Sequence, residues 1–171
     1  MAIALLLTTL LALAGFLATS AQGFAVAAGL ASPLTAKLLV TRHVGMAIPS
    51  VLLSLFSQSM VIFYFIGTGK LVKEEVAAYS EAERGRILRA LSGFKRRTSP
   101  AATFALLSAI GVFVLGGAAH TRFVPPWTHL AASIAAVATH VWALAAEWRV
   151  FGENTRLMND PRAWARRAAG T

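Results

Sequence analysis

The chain is expected to fold as an all-α, integral membrane, antiparallel four-helix bundle with a short cytoplasmic amphipathic helix. Three observations carry that expectation. First, residues 1–36, 44–69 and 101–121 contain no Asp, Glu, Lys or Arg, and a fourth stretch, about 124–146, meets none before Glu147. Each provides the roughly 20 apolar residues that a helix needs to cross about 30 Å of hydrocarbon. Second, hydrophobic residues make up 57% of the 171 and charged residues 13%, so the four spans leave no room for a separate soluble domain.

The third observation is where the formal charge of +9 lies. Eight basic and four acidic residues fall between Lys70 and Arg97, and Arg149, Arg156, Arg162, Arg166 and Arg167 follow the last span. The other two connectors hold only Lys37, Arg42 and Arg122. This positive-inside pattern predicts a multi-pass protein of the cell membrane, with residues 70–99, the tail 149–171 and both termini in the cytoplasm. The same placement ascribes the basic charge to topology and anionic lipid, not to nucleic acid. There is no Cys, which excludes disulfides, thiolate metal sites and Cys nucleophiles.

Span 1 covers about residues 3–31, and Ala31-Ser32-Pro33 marks its turn. Ala18-Thr19-Ser20-Ala21 has the small residues of a signal-peptidase site, but no basic n-region precedes it and the apolar run continues. The span is therefore expected to be retained. Span 2 covers 44–69, its helix starting between His43 and Pro49 or bending at Pro49 if it starts earlier. It is expected to project beyond the membrane through Tyr79. Gly67-Thr68-Gly69-Lys70 lacks the pattern and the preceding strand of a phosphate loop.

In the connector, Ser80-Glu81-Ala82-Glu83 is a capping box. It opens a short helix with Ile87, Leu88, Leu91 and Phe94 as its apolar stripe and Gly93 at its end. That helix suits the headgroup region or packing under the bundle. Ser99 and Pro100 read as N-cap and first residue of span 3, 101–121. Arg122 and Pro125-Pro126 bound a turn so short that spans 3 and 4 must form a hairpin. Span 4 covers 126–148 from the interfacial Trp127, and Asp160-Pro161 restarts a last basic helix containing Trp164.

Polar groups within hydrocarbon are costly, so their placement is the best pointer to function. Counting inward from residues 44 and 126 puts Gln58 and His140 both roughly 21 Å deep, with Ser108 within about a turn of them. These three are expected to form one layer, with Ser57 and Thr139 nearby. It serves either as interhelical hydrogen bonding or as a ligand, cofactor or proton site. Nearer the cytoplasm, Glu147 and Tyr64 share a depth, and Glu147 is expected to pair with Tyr64, Lys70 or Arg149. His43, His120 and His129 lie at the outer face, and His129, His140 and Glu147 share one face of span 4.

Imidazole is a common ligand of Zn, Cu and haem iron. A b-type haem or a transition metal at His43, His120, His129 or His140 is therefore chemically open, although no paired-ligand spacing is present. Two bis-His haems are excluded, because His140 has no deep imidazole partner. Ser50, Ser54 and Ser57, the glycines Gly111, Gly116 and Gly117, and the alanines from Ala131 to Ala138 predict close helix packing.

No catalytic motif appears. The first reading is an accessory or anchoring subunit of a membrane complex, contacting lipid and other membrane subunits or a second copy of itself. The second is an electron-transfer subunit carrying haem or metal. The third is a small proton-coupled transporter using Gln58, His140 and Glu147.

Overall fold

The computed structural model describes residues 2–169. Residue 1, at the head of the expected first span, and residues 170–171, at the end of the expected tail, lie outside it. Five α-helices follow in order: α1 (Ala2–Ala27), α2 (Pro33–Glu75), α3 (Glu81–His120), α4 (Pro126–Asn159) and α5 (Pro161–Arg167). The first four are each long and apolar enough to cross a membrane. They pack antiparallel: α1 lies against α2 and α4, and α3 against the same two. The helices α2 and α4 therefore face each other diagonally across the bundle axis. One end of the bundle holds the turns 28–32 and 121–125; the other, here the basic end, holds the α2–α3 turn and α5.

Hydrophobicity is inverted relative to a water-soluble bundle. Gln58, His140 and Glu147 are fully buried, whereas Leu52, Phe63 and Val114 are each about 60% exposed on the flanks. Apolar side chains outside and polar ones inside is the arrangement a lipid solvent selects. On α4, the exposed Trp127 and Trp148 sit 21 residues apart, about 32 Å, which matches aromatic belts at two membrane interfaces.

The inward face of α4 reads Ser133, Ala136, His140, Ala143, Glu147, Val150, Asn154, Leu157. Steps of three and four residues alternate throughout, the 3.5-residue period of left-handed bundle packing. The same period runs along α3 as Ile87, Leu91, Phe94, Thr98, Ala101 and Ala105. That continuity corrects the expected break at Ser99-Pro100. The helix starts at Glu81 and passes through both Gly93 and Pro100. Pro100 leaves only the Arg96 carbonyl without its helical donor. The unbroken stripe buries more than that one bond is worth. No separate amphipathic helix exists: Ile87, Leu91 and Phe94 pack with Val72, Val76, Phe151, Leu157 and Ala165, so this segment belongs to the bundle core.

The expected start of span 2 is also corrected. Ser32 caps α2, its Oγ accepting from Thr35 N at 3.3 Å, with Pro33 in the first turn. The helix then runs through Pro49, which lies inside it. At the other end, the 3₁₀ turn Val76–Ala78 carries the chain to Tyr79 as expected. The capping box is present: Ser80 Oγ accepts from Glu83 N at 3.4 Å and donates to Glu83 Oε2 at 2.7 Å. That hydroxyl holds the Glu83 carboxyl below its usual range, helped by the nearby Arg162 and Arg86. Asp160 Oδ1 accepts from Ala163 N at 2.7 Å and starts α5.

Small residues act at fewer places than expected. Gly111 and Gly117 have open space where a side chain would project, and Ala131, Ala135 and Ala138 face outward. Two expected members do sit at close approaches: Ser50, whose Cβ would lie 2.9 Å from a Cβ added at Gly15 of α1, and Gly116, packed against the His129 ring.

Candidate functional site

A column of polar side chains runs along the bundle axis, built mainly by the facing edges of α2 and α4. Between His129 and Asn154 on α4 it spans 25 residues, about 37 Å, longer than the hydrocarbon is thick. Heptad spacing produces it. His140, Glu147 and Asn154 are seven residues apart, so each returns to the axis on successive double turns.

At the end opposite the basic one, His43 and His129 meet with ring centroids 5.9 Å apart and planes at 85°. Both are half-buried, whereas His120 is exposed. The expected outer triad is therefore a pair. No group of three His, Cys, Asp or Glu side chains able to hold a metal occurs among the described residues.

About 16 Å further in along α4, His140 is fully buried. Its Nε2 bonds Ser54 Oγ at 2.6 Å and its Nδ1 bonds the Ala136 carbonyl at 2.6 Å. A carbonyl can only accept, so Nδ1 carries the proton and Nε2 accepts from the serine hydroxyl. With both nitrogens engaged, His140 offers a metal or haem nothing without first losing Ser54.

The next layer toward the basic end centres on Thr9 of α1, which sequence reasoning overlooked. Its Oγ1 donates to Glu147 Oε2 at 2.9 Å, lies 2.8 Å from Ser57 Oγ and accepts from Gln58 Nε2 at 3.4 Å. One hydroxyl thus joins three helices. The available signal was Thr8-Thr9 as the only polar pair in the first half of an otherwise apolar span.

These contacts revise two expectations. His140 lies opposite Ser54, not Gln58, a register one turn away along α2. Gln58 consequently joins Glu147. Ser108 lies at the height of His140, as expected, but off the axis: it bonds Thr139 Oγ1 at 2.7 Å on the α3–α4 seam.

Glu147 forms no ion pair among the described residues. Lys70 reaches Glu74 at 4.0 Å and Arg97 reaches Glu153 at 3.4 Å, both at the surface. Tyr64 belongs to the layer below, where its hydroxyl accepts from Asn154 Nδ2 at 3.1 Å. Phe65 and Phe151 stack beside it with centroids 5.3 Å apart. Glu147 Oε1 and Gln58 Oε1 are both buried without a partner, although the two side chains are neighbours. A fully buried carboxyl with no cation is costly to ionise. Both oxygens are acceptors, so a proton on the carboxyl would supply the donor that this layer lacks.

No protein-family model, curated protein or solved structure matches the chain. The functional reading rests on the geometry of this column.

Proposed function

We propose that this small polytopic membrane protein is a proton-coupled transporter in which Glu147 binds and releases the proton. The observation that carries the reading is a carboxyl sealed in the bundle, with Thr9 and Gln58 as its polar neighbours and no cation paired with it among the described residues. Ionisable groups at such positions are expensive to keep and mark proton or ion paths by default. When neutral, Glu147 donates its O–H to Gln58 Oε1. When ionised, it draws the Thr9 hydroxyl and the Gln58 amide toward itself. Each proton therefore switches the hydrogen bonds that join α1, α2 and α4.

Ser57, Ser54 and His140 continue the column away from Glu147, and Asn154, Tyr64 and Thr68 continue it toward the basic end. Positive-inside charge puts the basic end in the cytoplasm, so Glu147 exchanges its proton with the cytoplasmic side. The test is proton flux into liposomes under an imposed potential, read by an internal pH dye. The unmodified chain is expected to pass protons, and Glu147→Gln to reduce the flux at least about tenfold, as loss of a general acid–base group does. Equal flux in the two proteins removes the reading.

A second reading, the accessory subunit of a membrane complex, is favoured by a groove of about 460 Å³ at the basic end. Arg86, Arg89, Arg97, Phe94 and Trp164 line it. Arg89 is exposed there and Arg86 partly so, beside Trp164, and arginines next to an aromatic ring suit an acidic partner surface. If the chain serves that role, Arg86→Glu with Arg89→Glu releases a co-purifying subunit while leaving liposome proton flux unchanged.

A further inference from the structure

We propose that His43 and His129 form a binding site for a monovalent soft metal ion, Cu(I), with Met46 as third donor. This site is independent of Glu147 and of proton coupling. The two imidazoles come from α2 and α4, on opposite sides of the axis, and close the histidine end of the column. An ion bonded to one nitrogen of each ring, at about 2 Å, holds the ring centres about 6 Å apart. The observed separation is 5.9 Å.

The hydrogen bonding around each ring leaves a ring nitrogen free for a ligand. His43 Nδ1 lies 2.8 Å from the Thr19 carbonyl, which can only accept, so the proton sits on Nδ1 and the lone pair on Nε2. Anchoring the far ring nitrogen on a carbonyl is how metal-bound histidines are set. His129 Nδ1 is buried and has no hydrogen-bond partner. Its ring is held against α3 at Gly116, where an added Cβ would come within 3.0 Å of Cε1. Gly23 of α1 takes the corresponding place beside His43, at 3.4 Å from Cε1. Glycine on both flanks lets two imidazoles occupy one cross-section of the bundle.

The donor set selects the ion. A dication such as Zn²⁺ wants four ligands, usually including anionic ones. No carboxylate stands near this pair, and the chain has no thiolate. A monovalent d¹⁰ ion is satisfied by two or three neutral donors, and thioether sulfur selects Cu(I). Met46 is three residues after His43 and so lies on the same face of α2. Its Sδ is held by Gln22 Nε2 at 3.2 Å, while Gln22 Oε1 is buried without a partner. Neutral ligands bind the ion without releasing a proton, and both histidines remain half-exposed, open to a donor arriving from that side.

The full chain in detergent, kept anaerobic with ascorbate, is titrated with Cu(I) against a chromophoric chelator. One equivalent is expected to be retained, and X-ray absorption should show a first shell of two nitrogens and one sulfur. His43→Ala and His129→Ala should each abolish retention, Met46→Leu should weaken it, and the exposed His120→Ala should leave it unchanged. Gly116→Ala, which pushes on His129, should weaken binding about 10-fold. A measurement on the unmutated chain guards against misfolded variants: Cu(I) should protect His43 and His129, and not His120, from acylation by diethyl pyrocarbonate. No retention by the unmutated chain overturns the proposal, as does retention that survives His43→Ala, or protection of all three histidines alike. A Soret band in protein from native membranes that vanishes with His129→Ala overturns it in favour of haem iron.

Discussion

Thr9→Val is the sharpest test of the polar layer, because valine keeps the shape of threonine and removes only the hydroxyl. Three contacts disappear: the bond to Glu147 at 2.9 Å, the bond with Ser57 at 2.8 Å and the longer one from Gln58 at 3.4 Å. Interhelical hydrogen bonds inside membranes average about 0.6 kcal/mol and reach about 1.7. Thr9→Val should therefore cost about 2 kcal/mol. Thr9→Ser, which restores the hydroxyl, should recover most of it. Reversible unfolding in mixed detergent and sodium dodecyl sulfate micelles measures both. A double-mutant cycle with Glu147→Leu isolates the single pair, and its coupling energy should fall between about 0.6 and 1.7 kcal/mol. A neutral Thr9→Val, or a coupling energy indistinguishable from zero, would refute Thr9 as the hub that ties α1 to the Glu147 layer.

Other positions give independent checks. Gly15→Ala should destabilise the α1–α2 contact by about 1–3 kcal/mol through overpacking against Ser50, and Ser50→Gly should relieve much of that loss in the same unfolding assay. Arg122 has φ 61°, in the left-handed region that non-glycine residues occupy at a cost, so Arg122→Gly should stabilise the chain by about 1 kcal/mol. Glu83 has its acid form disfavoured in the folded chain, so its contribution is present above the ordinary glutamate value of about 4.3 and is lost as pH falls through the lower folded value. Amide protection factors in the first turn of α3, taken relative to the intrinsic exchange rate at each pH, should therefore fall on acidification below about pH 4, a step that Ser80→Ala removes.

Much of the fold was legible because lipid imposes strict length and composition rules. Four charge-free runs, the short Arg122–Pro126 turn and the two caps at Ser80 and Asp160 are local features, and each stands where it was expected. Ser32-Pro33 and Ser99-Pro100 show the limit of local reading. The same dipeptide starts α2 and lies within the length of α3, because residues 87–105 carry one unbroken inward-facing stripe and residues 28–32 do not. Periodicity across the proline held the answer, and capping preference alone did not.

The candidate site was legible as a set of residues and not as a set of partners. Gln58, His140, Glu147 and Tyr64 are buried, as the cost of polar groups in hydrocarbon requires. Their pairings depend on the register between helices, and a shift of one turn along α2 moves Gln58 from His140 to the Glu147 layer. Ser108 turned to Thr139, and Thr9 entered from a helix that residue counting had left out.

Composition and length alone determined that the chain has four segments long and apolar enough to cross a membrane, since transfer into hydrocarbon is decided residue by residue along each segment. Which side chain meets which was decided only by tertiary packing. Register and rotation are set by side chains interlocking between helices, and no single segment contains that information.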